Sequence, residues 1–274
     1  MKNIFILAVL VSVPIAVFSA AGDIISEFAV SGQPTQGIRG LEKDWSDGNI
    51  WCAGPDSMNN CNFAKFHLTT HALTKNWKQL KNHVWVYDIA YPYKYSNTDC
   101  IVAVDQVSPR IRLYDTQNGN NIGNFSSDPF TGGENRGLGS NPGTQNLYAT
   151  NGSQSQIMNW NGISWSNFAS YSEQQNAGVC YGWHHIFVIY STGTFKIKVF
   201  NESGSNVANY NLNNWGSAQM MGLACGRENG VGANETLFTA VYYPILVVRE
   251  IEIGDFNTTE VTATSLGDIK AIFH

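Results

Sequence analysis

The sequence predicts an all-β fold: a single β-propeller of four-stranded blades, five in number, with six as the alternative. Three observations predict it. Small-apolar steps recur every 41 to 49 residues, a polar-aromatic pair recurs once per unit, and the composition favours short strands and tight turns over helices. Charged residues make up 14% of the 274 positions, against roughly 25% in typical soluble domains. The 43% hydrophobic and 12% aromatic content is too high for a disordered chain.

The chain opens with Met1-Lys2-Asn3, an apolar run from Ile4 to Phe18, and the small residues Ser19-Ala20-Ala21. One positive charge, an apolar stretch and a small-residue exit are the parts of a secretory signal, so cleavage after Ala21 is expected. An uncleaved anchor is the alternative; the run is short of the roughly 20 residues that a span needs, and Pro14 interrupts it. The expected organisation is a signal peptide over 1–21, a propeller over 22–256 and a tail over 257–274. The expected address is secreted, periplasmic or at the cell envelope, with no membrane span after cleavage, and the expected state is a monomer.

The repeat is anchored at Gly40, Asp88, Gly137, Gly178 and Gly222, spaced by 48, 49, 41 and 44 residues. A second strand follows each anchor, beginning at Ile50, Ile101, Leu147, Ile186 and Leu237. A third, alternating strand then begins at Phe63, Ile111, Ile157, Phe195 and Ile245. Such alternation marks strands with one buried face and one wet face. Turn pairs such as Asp47-Gly48, Asn118-Gly119, Asn161-Gly162 and Ser203-Gly204 separate the strands. The fourth strand carries Asn76-Trp77, Asn124-Phe125, Asn167-Phe168 or Asn209-Tyr210. The fifth unit lacks its pair, and Glu27-Phe28 near the other end of the chain supplies one. The strand Ile24 to Val30 is therefore expected to complete the last blade and remove two exposed sheet edges. In the tail, Ser265 and Asp268 can cap a short helix with Leu266, Ile269, Ile272 and Phe273 on one face.

The five cysteines leave at least one unpaired. Cys52 and Cys61 stand at the facing ends of an expected hairpin, and a disulfide between them is the expectation. Cys100, Cys180 and Cys225 lie in apolar strand patterns, where a thiol packs as a small hydrophobe. No Cys/His spacing suggests zinc.

The segment Ser265-Leu266-Gly267-Asp268-Ile269-Lys270-Ala271-Ile272-Phe273 resembles the Ser-x-Gly-x-Ile-Lys-x-x-Phe ending of uncharacterised secreted bacterial proteins with β-propeller repeats. The Gly-Leu and Asn-Ile-Trp pattern of the first unit is similar to their repeats as well. The resemblance implies a fold and an address, and brings no established activity.

Propellers bind ligands where inner strands and inter-blade loops converge at a channel mouth. The candidate ring there is Gln36, Arg39, His83, Asp88, Glu134, Arg136, Asn176 and Gln219. The expected function is non-catalytic: a binding module that holds a glycan, peptide or protein partner, with no catalytic residue and no metal ligand assigned. The net charge of −5, with no basic cluster beyond pairs such as Lys196 and Lys198, argues against nucleic acid.

Two alternatives stay open. A hydrolase would work as a glycosidase with Asp88, Glu134 and Glu42 as its acids, or as a calcium-dependent lactonase type with Glu42, Asp88, Glu134 and Asn176 as oxygen ligands. An architectural envelope component is the other. His184-His185 reads as turn and edge, because adjacent strand residues point to opposite faces. Asp44 to Asn49 reads as a hairpin turn, without the distant Glu of a calcium loop. Trp160, Trp165, Trp215, Tyr91 and Tyr93 are either sugar platforms or inter-blade packing. Sequons begin at Asn124, Asn151, Asn201, Asn234 and Asn257.

Overall fold

The computed structural model describes residues 21–82, 85–105, 111–130, 135–173, 176–191, 195–212, 215, 219–227, 235–243 and 245–254. The expected signal segment up to residue 20, Glu134, and the tail with its expected helix lie outside them.

The described residues form five four-stranded antiparallel sheets arranged as a five-bladed propeller, with no helix. Blade 1 holds β2 (Gly40–Lys43), β3 (Ile50–Pro55), β4 (Cys61–Phe66) and β5 (Leu73–Gln79). Blade 2 holds β6 (Val86–Tyr95), β7 (Thr98–Asp105), β8 (Ile111–Asp115) and β9 (Asn121–Asn124). Blade 3 holds β10 (Asn135–Ser140), β11 (Leu147–Asn151), β12 (Gln156–Trp160) and β13 (Trp165–Ser170). Blade 4 holds β14 (Asn176–Gly182), β15 (His185–Ser191), β16 (Phe195–Asn201) and β17 (Asn206–Asn211). Blade 5 runs from the innermost β18 (Gln219–Cys225) through β19 (Glu235–Tyr243) and β20 (Val247–Gly254) to β1 (Ile24–Phe28).

The closing strand is the one expected from the displaced aromatic. β1 pairs antiparallel with β20, setting Phe28 opposite Val248 and Glu27 opposite Arg249. Phe28 packs edge-on to Phe66 of blade 1 and Phe238 of blade 5, at ring-centre distances of 5.7 and 5.9 Å. The N-terminal strand thus joins the last blade and wedges it against the first.

The core is divided among the blade interfaces. Tyr148, Ile157, Val179, Ile186, Val188 and Phe200, for example, fill the space between blades 3 and 4. Trp51, Phe63, Ile89, Ile101 and Tyr114 fill that between blades 1 and 2. This placement follows from sheet alternation, since a strand buried on both faces gives one face to each neighbouring blade. It explains why β3 and β11 are buried along their whole length. The expected turns form as well: Gly48 and Gly119 hold φ of 72° and 70°, a region that favours glycine at a tight reversal.

The expected Cys52–Cys61 disulfide is not formed. Cys52 sits opposite Ala64, and Cys61 opposite Pro55. Cys61 and Ala64 are three residues apart on β4, so Cys52 and Cys61 point to opposite faces of the sheet. Cys52 joins the core between blades 5 and 1, and Cys61 joins the core between blades 1 and 2. The Cys52 thiol donates to the Ala64 carbonyl, while the Cys61 sulfur accepts from the Val86 N–H. All five cysteines are buried thiols in the structure.

Candidate functional site

The five innermost strands meet around the axis, β2 against β6, β6 against β10, β10 against β14, β14 against β18 and β18 against β2. Four of the five repeat anchors are glycines, and space requires it. A side chain at Gly137 would press on the Val179 N–H at 2.9 Å, and one at Gly178 on the Leu223 N–H at 2.7 Å. The fifth anchor is Asp88, and it fills the waist of the ring.

Asp88 is fully buried. Its Oδ1 accepts the Leu41 N–H of blade 1 at 3.2 Å and its own blade's Ile89 N–H at 2.9 Å, and its Oδ2 accepts the Leu138 N–H of blade 3 at 3.0 Å. A side chain at Gly222 of blade 5 would lie 2.5 Å from Oδ1. One carboxylate therefore ties inner strands from three blades and leaves room for no side chain from a fourth. Burial holds its carboxyl well above the usual carboxylate range, against the three N–H bonds that favour the charged form. The sequence placed Asp88 on the channel mouth; it belongs to the waist.

Glu42, two residues past the Gly40 anchor on β2, repeats the device. It is fully buried, with Oε1 accepting the Lys43 N–H at 3.0 Å and Oε2 the Ser140 N–H of blade 3 at 3.1 Å. Burial first, and then the nearby Cys225 and Asp88, push its carboxyl well above the usual range.

At the mouth where the inner strands begin, Arg39 is the central group. It precedes β2 and is 6% exposed. Its backbone is fixed on both sides: the N–H donates to Ala53 of blade 1 at 2.8 Å, and the carbonyl accepts from Gly222 of blade 5 at 2.5 Å. Its guanidinium lies between two aromatic rings, 4.2 Å from the centre of Trp85 in blade 2 and 4.7 Å from Tyr242 in blade 5. Such stacking is attractive for a cation. Among the described residues the guanidinium makes no hydrogen bond and no ion pair, and its buried Nε is unpartnered. Desolvation lowers its pKa, partly opposed by Tyr242 and Tyr87.

Of the remaining expected ring members, His83 and Glu134 lie outside the described residues. Arg136 occupies the equivalent position in blade 3 but lies against Gly152 in the turn after β11. The Gln36 side-chain amide donates to the Asp56 carbonyl at 3.2 Å, within blade 1. Asn176 and Gln219 start β14 and β18 at this mouth. Sequence reasoning missed Trp85 and Tyr242, which stand in no recurring motif and meet Arg39 only through the closed ring.

Other residues singled out in the sequence have defined surroundings. Trp183 and His184 have φ of 48° and 60°, a turn, and His184 faces Glu202 at 3.3 Å on the surface. The Asp44–Asn49 segment is a hairpin turn whose carboxylates are occupied by a cation of the chain itself, Lys65 Nζ, at 2.5 Å from both Asp44 and Asp47. Trp160 is inter-blade packing: its ring is 4.9 Å from Phe125 and 5.5 Å from Trp165, and its Nε1 donates to the Tyr93 hydroxyl. Among the described residues, no group of three or more His, Cys, Asp or Glu side chains is gathered as a metal site.

No protein-family model matches this chain, and no curated protein matches it by sequence. Solved structures do share its fold. Glutaminyl cyclase from Myxococcus xanthus is 12% identical over 84% of this chain and 96% of its own, with a TM-score of 0.55. The calcium-binding protein regucalcin from Agrobacterium tumefaciens is 11% identical over 87% of this chain and 98% of its own, with a TM-score of 0.50. At these identities the likeness is one of fold alone.

Proposed function

We propose that this protein is an exported, non-catalytic binding module that receives a carboxylate-bearing glycan at the propeller mouth, with Arg39 as the anchoring residue. The observation that carries this reading is the state of Arg39: a nearly buried cation, clamped between Trp85 and Tyr242, with no acidic counterpart among the described residues. A guanidinium stays charged at any physiological pH, and a buried charge without a partner is costly. Aromatic stacking offsets part of that cost and fixes the plane of the group. A planar, pre-oriented guanidinium suits a carboxylate, which it can meet with two parallel hydrogen bonds.

The hydrolase alternative draws on the fold shared with glutaminyl cyclase and regucalcin. It needs carboxylates free to act on a substrate or to hold calcium. The channel-wall acids that would serve, Glu42 and Asp88, direct oxygens at backbone N–H groups of other blades.

The test is a thermal-shift titration of the purified protein with glucuronate, with glucose, with a short acidic peptide and with calcium chloride. Glucuronate is expected to raise the melting temperature where glucose does not, and Arg39→Gln and Trp85→Ala to abolish the shift while leaving a folded protein. A shift with calcium and none with glucuronate would favour the lactonase-type reading. A shift with the peptide alone would move the ligand class to protein.

A further inference from the structure

We infer that Cys180 and Cys225 form an inter-blade disulfide that staples the inner strands of blades 4 and 5. Their sulfurs lie 3.7 Å apart, in van der Waals contact, and both residues are fully buried. They are 45 residues apart, one repeat, and occupy neighbouring places on β14 and β18. The two strands run beside one another closely enough that a side chain at Gly178 would meet the Leu223 N–H at 2.7 Å.

The surroundings favour a bond between these two sulfurs over any other pair. A side chain at Gly182, on the same strand as Cys180, would lie 2.4 Å from the Cys225 sulfur, so glycine there leaves the space that the sulfur occupies. Among the described residues neither thiol has a hydrogen-bond partner apart from the other, whereas Cys52, Cys61 and Cys100 each contact a backbone group. Closing 3.7 Å to the roughly 2.05 Å of a disulfide requires the two side chains to rotate toward one another.

The chemistry is a thiol–disulfide exchange with an oxidant of the disulfide class, such as oxidised glutathione. One cysteine thiolate attacks the oxidant and forms a mixed disulfide, releasing one small thiol. The second cysteine then attacks the first cysteine's own sulfur within that mixed disulfide, the Cys180–Cys225 bond forms, and the second small thiol leaves. Two protons leave the cysteines and two electrons reduce the oxidant. Burial, together with its partner sulfur and the nearby Glu42 and Asp88, pushes the Cys180 thiol well above its ordinary pKa. The thiolate is therefore scarce in the closed ring, and the exchange belongs to the stage before blades 4 and 5 dock.

The experiment refolds the purified protein in oxidised and reduced glutathione, unfolds it, and alkylates it with and without prior reduction. The expected result is three alkylated cysteines before reduction and all five after it. The non-reduced peptide map should show one cross-link, Cys180 to Cys225. Adding oxidant to the already folded, reduced protein should form the cross-link at least tenfold more slowly than refolding does. Reductant should lower the denaturant midpoint of the wild type and leave that of the Cys180→Ser/Cys225→Ser double variant unchanged. Five alkylated cysteines without reduction, or a cross-link between any other pair, would overturn the inference. The peptide map of the wild type decides the matter even where the double variant fails to fold.

Discussion

At the scale of single residues, the position with most leverage is Asp88. The other four repeat anchors are glycines that let inner strands touch, and Asp88 is the anchor that carries a side chain. Its two oxygens serve three backbone donors, and an amide cannot replace them. In Asp88→Asn, one oxygen becomes an NH2 group facing an N–H donor, which leaves buried donors unpaired. A loss of about 2–3 kcal/mol is expected, read as a lowered urea midpoint with an unchanged slope. The departure from glycine at one anchor was visible in the sequence. That it marks the waist and not the mouth was not, because position along the channel depends on how the inner strands are staggered. The sequon at Asn151 shows the same limit: its side chain is fully buried and its oxygen accepts from Ser153 in a turn, so the folded ring leaves no room for a glycan there.

At the scale of elements, β1 decides whether the ring closes. It carries two contacts of very different worth. The Phe28 ring stacks flat on His71 at 3.5 Å and meets Phe66 and Phe238 edge-on, bridging blades 5 and 1. The Glu27–Arg249 ion pair, at 2.7 Å, has its carboxylate on the surface. Phe28→Ala is expected to cost about 2–3 kcal/mol, toward the low end for buried aromatics because the ring is only half-buried. Glu27→Ala should cost less than about 1 kcal/mol, as exposed ion pairs do. Equal losses in a denaturant titration of the two variants would mean that pairing, and not the aromatic wedge, seals the propeller. This element was legible because the missing aromatic of the fifth unit had to be found somewhere. The Cys52–Cys61 bridge failed at the same scale, because nearness along a hairpin says nothing about face until the register is known.

At the scale of the whole molecule, two carboxyls on the axis, Glu42 and Asp88, make stability depend on pH in an unusual sense. Both sit well above the usual carboxylate range in the folded ring, chiefly through burial. Between the unfolded value near 4 and their raised folded values, the native state binds more protons than the unfolded one, so stability falls as pH rises. Asp44, held below its ordinary value by hydrogen bonds from Lys65 and Ser46 that outweigh its burial, acts in the opposite sense and loses its contribution as pH drops below about 4. The urea midpoint is therefore expected to be higher at pH 5 than at pH 8 and to fall again below pH 4. Glu42→Gln should flatten the slope between pH 5 and 8. A midpoint that climbs steadily to pH 8 would show that the axial carboxyls are ionised throughout.

The sequence by itself determined the blade number, the strand order within each blade and the strand that closes the ring. These depend on local alternation, turn chemistry and a repeat, all written along the chain. The tertiary structure alone decided what meets across the axis: the stacking of Arg39 between Trp85 and Tyr242, the placing of Asp88 at the waist, and the contact between Cys180 and Cys225. Each joins different blades, and their approach is fixed by how tightly five inner strands close on one another. No pattern read along a single strand carries that information.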